Sequence, residues 1–256
     1  MSFFDKMKAS IGIGAAKVDA RLEKSSYAAG EKVNGTIHIE GGQITQDING
    51  IDIHLVTEII REVDDKKVKE AVSFVKTRAA SSFSIGKGEK KTIPFSFILP
   101  KDSPMTIGKT KIWLQTALDI SLALDPTDRD YIDVQPHPAV KTILEATQSL
   151  GFVLRKTENL LYRRSALGFV QEFEFVPTSG SFRGKLDEFE LVCLVEENGV
   201  RLLMEIDRKA RGLVSFLAEG LDMDESKVTL FLSFHELEQG VQTTAARLHS
   251  VIQSYS

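Results

Sequence analysis

The stretch that decides the fold is residues 111–138, which read KIWLQTALDISLALDPTDRDYIDVQPHP. In its first part the even positions hold apolar side chains and one threonine: Ile112, Leu114, Thr116, Leu118, Ile120, Leu122 and Leu124. Successive side chains of a strand point to opposite faces, so this period of two predicts a strand over residues 112–124 with one buried face. A single strand cannot bury that face alone, and we therefore expect a second sheet packed against it.

The same stretch separates two halves of the chain. Residues 125–130 are rich in Asp and read as a turn, residues 131–134 as a short strand, and residues 135–138 as a hinge. Pro136 and Pro138 restrict the backbone and remove two amide donors, which favours a break between domains at this point. Strand periodicity fills the sequence before the hinge, and a helical pattern follows it.

Composition and charge restrict the class of protein. The chain has 256 residues with 42% hydrophobic and 27% charged side chains, which suits two soluble domains of ordinary size or one large β domain. Residues 1–138 contain 19 basic and 19 acidic side chains and the remainder contains 13 and 17, so the net charge of -4 arises in the second half. A nucleic-acid-binding protein would show a basic stripe; none occurs, and we expect no nucleic acid as a partner.

Cysteine use and hydropathy predict the location of the protein. The single cysteine, Cys193, excludes an internal disulfide framework, as is usual in the reducing cytoplasm. It shares strand parity with Leu191 and Val195 and is therefore expected in a core. No apolar run approaches the roughly 20 residues of a membrane span, and the N-terminus lacks the apolar region of a secretory signal. We expect a soluble, cytoplasmic protein.

Strand and helix patterns divide the chain further. Residues 16–134 carry about seven strand patterns, a density typical of a β-sandwich. These patterns lie at residues 18–22, 33–39, 51–60, 71–78, 93–99, 112–124 and 132–134. Residues 139–235 begin with a helical pattern and continue with strands around a partly helical stretch at residues 208–221. They predict a second, smaller β-rich domain with added helices.

Residues 236–256 predict an amphipathic C-terminal helix, because Leu237, Val241 and Leu248 recur at helical spacing. Gly240 and small central residues weaken a zipper, so we favour docking of this helix on the second domain over pairing with a second copy. Self-association and contact with a partner protein through these three side chains stay open.

Residues 1–15 predict a helical arm that contains both apolar and basic side chains. Phe3 and Phe4 recur with other apolar residues at helical spacing, and Lys6 and Lys8 lie between them. We favour an arm that docks on its own domain or on a second copy. Contact with a membrane surface is the alternative, which two Phe and two Lys would suit.

No motif indicates chemistry. The five histidines are scattered, without i, i+4 pairs or a cysteine partner, so we assign no metal site. No nucleophile turn and no complete phosphate loop occurs, and we assign no catalytic or cofactor-binding residue. Asp125, Asp128, Asp130 and Asp133 lack the central Gly and donor spacing of a calcium loop, so we interpret them as solvating a turn and hinge. We expect no cofactor and no enzyme.

Two motifs in the first half resemble the arrestin clan. They are YAAGEKVNGTI at residues 27–37 and the strand IPFSFILP at residues 93–100, which is closed by Pro104. The resemblance implies an arrestin-like β-sandwich over residues 16–134, the hinge at residues 135–138, and an arrestin-like second domain.

Other motifs resemble the bacterial sporulation-control protein M (SpoOM) family, and the likeness extends over nearly the whole chain. They are the opening MSFF, the hinge DVQPHP at residues 133–138, and FVQEFEFVP at residues 169–177 followed by FRGKLDE at residues 182–188. This resemblance implies a cytoplasmic regulator of early sporulation with two arrestin-like domains and no known chemistry.

In arrestins, buried charges near the domain junction help to hold the resting arrangement. The resemblance suggests that Arg129 with Asp128, Asp130 or Asp133 plays an analogous part. The expected cluster at the hinge is Asp128, Arg129, Asp130, Asp133, Pro136, His137 and Pro138.

We therefore expect a mainly β, non-enzymatic regulator or scaffold that acts through protein–protein interaction. The alternative is a peripheral membrane or trafficking-type adaptor that uses the N-terminal arm.

Overall fold

The computed structural model describes residues 16–63, 66–120, 127–207 and 227–256. The chain is mainly β, as the sequence predicts. Three predicted features lie outside the described residues: the arm at residues 1–15, the end of the predicted strand at residues 121–124, and the partly helical stretch at residues 208–221.

Ten strands make up the described part of the first half. They are β1 (Lys17–Leu22), β2 (Ser26–Ala28), β3 (Lys32–Glu40), β4 (Gln46–Val63), β5 (Lys66–Ala80), β6 (Phe83–Ile85), β7 (Lys90–Ile98), β8 (Ile112–Ile120), β9 (Thr127–Tyr131) and β10 (Asp133–Gln135). Strands β1, β3 and β7 form one sheet, while β5, β6, β8 and β9 belong with β4 to a second. Apolar side chains of both sheets share one core, including Ile37, Ile53 and Leu118. This is the predicted sandwich.

The period of two in β8 is confirmed. Ile112, Leu114, Thr116 and Leu118 are all 0% exposed, whereas on the opposite parity Trp113 is 7% exposed, Gln115 and Ala117 are half-buried, and Asp119 is exposed. The even face of β8 therefore points into the core between the two sheets.

The predicted turn at residues 125–130 is wrong for its described part. Residues 127–131 form β9, which pairs antiparallel with β8 and places Tyr131 opposite Trp113. The Asp-rich composition suggested a turn, but ladder hydrogen bonds at the end of a sheet outweigh the weak strand preference of Asp. The predicted short strand is correspondingly divided between β9 and β10, with buried Ile132 at the break.

The second half places helices on one face of a sheet. Its elements are α1 (Pro138–Ser149), β11 (Phe152–Leu161), β12 (Phe169–Pro177), a 3₁₀ turn (Gly180–Phe182), β13 (Glu188–Val195), β14 (Gly199–Asp207), β15 (Lys227–Ser233), α2 (Phe234–Glu238) and α3 (Val241–Tyr255). The five strands pair antiparallel in sequence order. Ile143 of α1 and Leu248 of α3 share a core with Phe175, Phe189 and Leu202 of the sheet. Within the described residues, helices therefore cover the face that a second sheet would cover in a sandwich.

The C-terminal helix is divided at Gly240. The sequence predicts one helix over residues 236–256, but Gly240 has a φ of 97°, a left-handed conformation that ends α2 and precedes α3. Ser233 caps α2 through a capping box with Glu236. The buried stripe of α3 includes Thr244 and Leu248, while Tyr255 is 48% exposed.

One sheet runs through both halves. Strand β11 pairs parallel with β4 at Leu160 and Ile60, so the second-half sheet continues that of the first half. The two halves are thus joined by a sheet contact as well as by the chain.

No helix in the described ranges is long and apolar enough to cross a membrane.

Candidate functional site

The loop between β7 and β8 lies across both halves. We call residues 100–111 the strap. Gln171 of β12 binds the strap backbone twice: its side-chain amide donates to Met105 O at 2.9 Å, and its side-chain oxygen accepts from Met105 N at 2.9 Å. The same amide also donates to Thr110 Oγ1 at 3.2 Å. Met105 and Ile107 pack against the apolar core of the second half. A first-half loop is thereby attached to the second half.

Two further contacts attach the strap to the second-half sheet. Asp102 Oδ1 accepts a hydrogen bond from Val195 N of β13 at 2.7 Å. Burial raises the pKa of Asp102 above its ordinary value, against the opposite effect of this hydrogen bond. The hydroxyl of Thr157 in β11 donates to Ile107 O at 3.2 Å. The strap therefore contacts three neighbouring strands.

Asp133 ties the same strap to the end of the first half. Its carboxylate accepts hydrogen bonds from Thr106 Oγ1 at 2.5 Å, Ser26 Oγ at 2.7 Å and Gln135 Nε2 at 2.6 Å. These bonds stabilise the ionised form, and the one from Thr106 contributes most to lowering the pKa of Asp133. Val134 N donates to Thr106 Oγ1 at 2.7 Å, which completes a compact network. Adjacent strap residues thus bind opposite halves.

Asn159 forms a second link beside the strap. Its side-chain amide donates to Thr57 Oγ1 and to Glu58 O, both at 3.0 Å, and so joins β11 to β4. Thr57 Oγ1 in turn donates to Lys111 O at 2.9 Å, at the end of the strap. Asn159 is 4% exposed, so these bonds form away from competing water.

The predicted hinge is an ordered connection. Gln135 ends β10, and Pro138 occupies the first turn of α1, where a missing amide donor is tolerated. His137 caps α1, because its Nδ1 accepts from Ala139 N at 3.3 Å, and its ring centroid lies 5.8 Å from that of Phe234. Burial lowers the pKa of His137, which favours the neutral ring that can accept this bond.

The predicted polar cluster is brought together only in part. Asp133 lies in the network, with hydroxyl and amide partners. Asp128, Arg129 and Asp130 lie in β9, paired with β8 within the first half. The side chains of Asp128 and Arg129 are outside the described set, so a pairing of Arg129 with a carboxylate stays a prediction. Pro136 connects β10 to the cap of α1.

The other predicted contact residues occupy different places. Leu237 and Leu248 are 4% and 0% exposed in the second-half core, and Val241 packs against that core half-buried. A partner would reach Leu237 and Leu248 only after the helices move. Phe3, Phe4, Lys6 and Lys8 lie outside the described residues, and their part in membrane or partner contact stays a prediction.

Sequence reasoning missed the strap and its partners. Gln171 offered one signal, because it shares strand parity with Phe169, Phe173 and Phe175, and a polar side chain on an apolar face needs hydrogen-bond partners. Asp102 and Asn159 offered no pattern that distinguishes them from other polar residues between strands.

The strap, its partners Gln171, Asp133 and Thr157, and the Asn159 link form the junction between the two halves. We call this set of hydrogen-bonded groups the latch. Its hydroxyl, amide and carboxylate groups bond with one another and with backbone across the two halves. Among the described residues, no group of three or more His, Cys, Asp or Glu side chains is arranged to hold a metal ion. What the arrangement can do is fix the two halves relative to each other.

Comparison with known proteins gives consistent results. The family model described as "SpoOM protein" matches residues 4–210. A sporulation-control protein, spo0M of Bacillus subtilis (strain 168), is 46% identical over 240 residues, which cover 93% of each chain. The crystal structure of Spo0M from Bacillus subtilis aligns with a TM-score of 0.88 and 42% identity, covering 95% of this chain and 100% of that one. The chain therefore belongs to the SpoOM protein family.

Proposed function

We propose that this chain is a sporulation-control regulator that acts by binding other proteins in the cytoplasm and catalyses no reaction. Its likeness to the sporulation-control protein of Bacillus subtilis, over 93% of both chains, supports the first part of this proposal. The hydrogen bonding between the groups at the junction supports the second part, which is action by protein binding and not by catalysis.

The observation that carries the proposal is that the polar groups at the junction form hydrogen bonds with one another. Gln171 makes three hydrogen bonds to the strap, and Asp133 accepts three. Groups used in this way are not aimed at a substrate. They suit a protein whose function depends on presenting two β-rich halves in a defined arrangement.

The test is to replace the chromosomal gene with variant alleles and to count heat-resistant spores. Gln171→Ala removes the bonds to the strap, and we expect spore counts to change in the same direction as in a deletion strain. The matched control is Gln148→Ala, because Gln148 is an exposed glutamine on α1. Its spore count should equal that of the wild type.

Capture of crosslinked partners from sporulating cells supplies the second readout. We expect the wild type and Gln148→Ala to retain the same partner protein, and Gln171→Ala to retain less of it. A deletion strain with normal spore counts would contradict the role in sporulation, and a partner set unaffected by Gln171→Ala would contradict the role of the junction.

A further inference from the structure

A groove of about 560 Å³ opens where the two halves meet. Its walls come from β4 and β5 of the first half, from the strap, and from β11 and β12 of the second half. The lining residues are Glu58, Ile60, Lys69, residues 108–111, residues 155–159 and Glu174. Any molecule bound there would contact both halves and the strap that joins them.

The groove is positive in a chain that is negative overall. Its lining contains five cationic side chains, Lys69, Lys109, Lys111, Arg155 and Lys156, and three carboxylates, Glu58, Glu158 and Glu174. The difference, five minus three, is a surplus of two positive charges, against a net charge of -4 for the chain.

Three of the cations have carboxylate partners, and two do not. Lys69 pairs with Glu58 at 3.3 Å, Lys156 pairs with Glu158 at 2.8 Å, and Arg155 pairs with Glu174 and Glu188. No ion pair joins Lys109 or Lys111 to an acidic side chain in the described part of the chain, and both are exposed. These two strap lysines are the surplus charge.

The distribution of charge decides between classes of ligand. Nucleic acid presents one negative charge per about 1.7 Å of duplex, and the three carboxylates of the lining would repel so dense a charge. Bidentate recognition of a single phosphate needs a free guanidinium, but Arg155 is already bonded to two glutamates. Lys109 and Lys111 are two separate point charges on the strap, and neither pairs with a carboxylate of the groove, so they suit a ligand that also carries separate negative charges.

We propose that this groove binds an acidic segment of a partner protein, with two of its carboxylates paired to Lys109 and Lys111. The inference rests on the proposed function, since it names the chemistry of a protein partner. Asn159 lines the same groove and also links β11 to β4, so the segment would lie against the latch itself.

The direct test is fluorescence anisotropy with the full chain and a labelled decapeptide of alternating glutamate and serine, at about 50 mM NaCl, where screening is weak. Lys109→Glu with Lys111→Glu should weaken binding at least about tenfold. The matched control is Lys87→Glu with Lys90→Glu, which reverses two exposed lysines outside the groove and changes the net charge equally. This control should bind as the wild type does. If the first double variant melts early, Lys109→Gln with Lys111→Gln serves, with a smaller expected loss.

Several results would overturn the inference. They are an absence of wild-type binding, an equal loss in both double variants, or displacement of the peptide by inorganic phosphate at an ionic strength where chloride has no effect. Normal spore counts in the Lys109 and Lys111 variant, beside altered counts in Gln171→Ala, would reject the groove and leave the proposed function standing.

Discussion

Glu172 is a buried carboxylate on the face of β12 opposite the helices. It is 5% exposed, and its Oε2 has no hydrogen-bond partner among the described residues. Burial, followed by the negative charges of Glu190 and Glu158, raises the pKa of Glu172 from 4.5 to about 8. The side chain is therefore protonated in the folded protein at neutral pH.

The sign of the effect follows from proton binding. Between about pH 5 and about pH 8 the folded state holds a proton on Glu172 that the unfolded state has lost, so the free energy of unfolding falls as pH rises. One pKa unit corresponds to about 1.4 kcal/mol, and the interval from 4.5 to about 8 sets a ceiling of about 5 kcal/mol on this loss.

Urea denaturation at a series of pH values measures the effect. Glu172→Gln is neutral in both states, so its stability relative to the wild type should increase by several kcal/mol between about pH 5 and about pH 9. The control is Glu145→Gln, which removes an exposed carboxylate of α1. If the wild type and Glu172→Gln have parallel pH profiles, the reasoning about this buried carboxylate is refuted.

Three further substitutions test the fold. Leu118→Ala in the sandwich core should cost about 2 to 5 kcal/mol in urea melts, and clearly more than Leu161→Ala, whose side chain is 37% exposed. Leu248→Glu places a charge in the second-half core, so thermal melts should show a large drop in Tm, while unchanged mass on sedimentation would fit docking within one chain. Gly240→Ala should destabilise by about 1 kcal/mol or more, because alanine strains at a φ of 97°; equal stability would contradict the break between α2 and α3.

Much of the fold could be predicted from the local periodicity of apolar residues. The even face of β8 and the helix after Pro138 could be predicted because apolar residues on a buried face recur every two residues in a strand and about every 3.6 residues in a helix. Strand β9 could not, because its Asp-rich sequence forms a strand only through pairing with β8. Gly240 was visible in the sequence, but its left-handed φ is a property of the packed structure rather than of the pattern.

The candidate site was harder to predict. The sequence indicated Asp133 and the connection at His137, since prolines and acidic residues concentrate there. The strap was missed because Met105 and Gln171 are separated by 66 positions, and nothing local marks a hydrogen bond at that range. The sequence offers one indication of such a contact, which is a polar residue on an otherwise apolar strand face, as at Gln171.

The most direct test of the latch is the distance distribution between the two halves. Spin labels at Ser96→Cys on β7 and Gln253→Cys on α3, both exposed positions, in a Cys193→Ala background, report the arrangement by double electron–electron resonance. We expect one narrow distribution for the otherwise unchanged chain and for Gln148→Ala, and a broadened or second distribution for Gln171→Ala. The same narrow distribution in all three proteins would contradict the claim that the strap holds the halves in place.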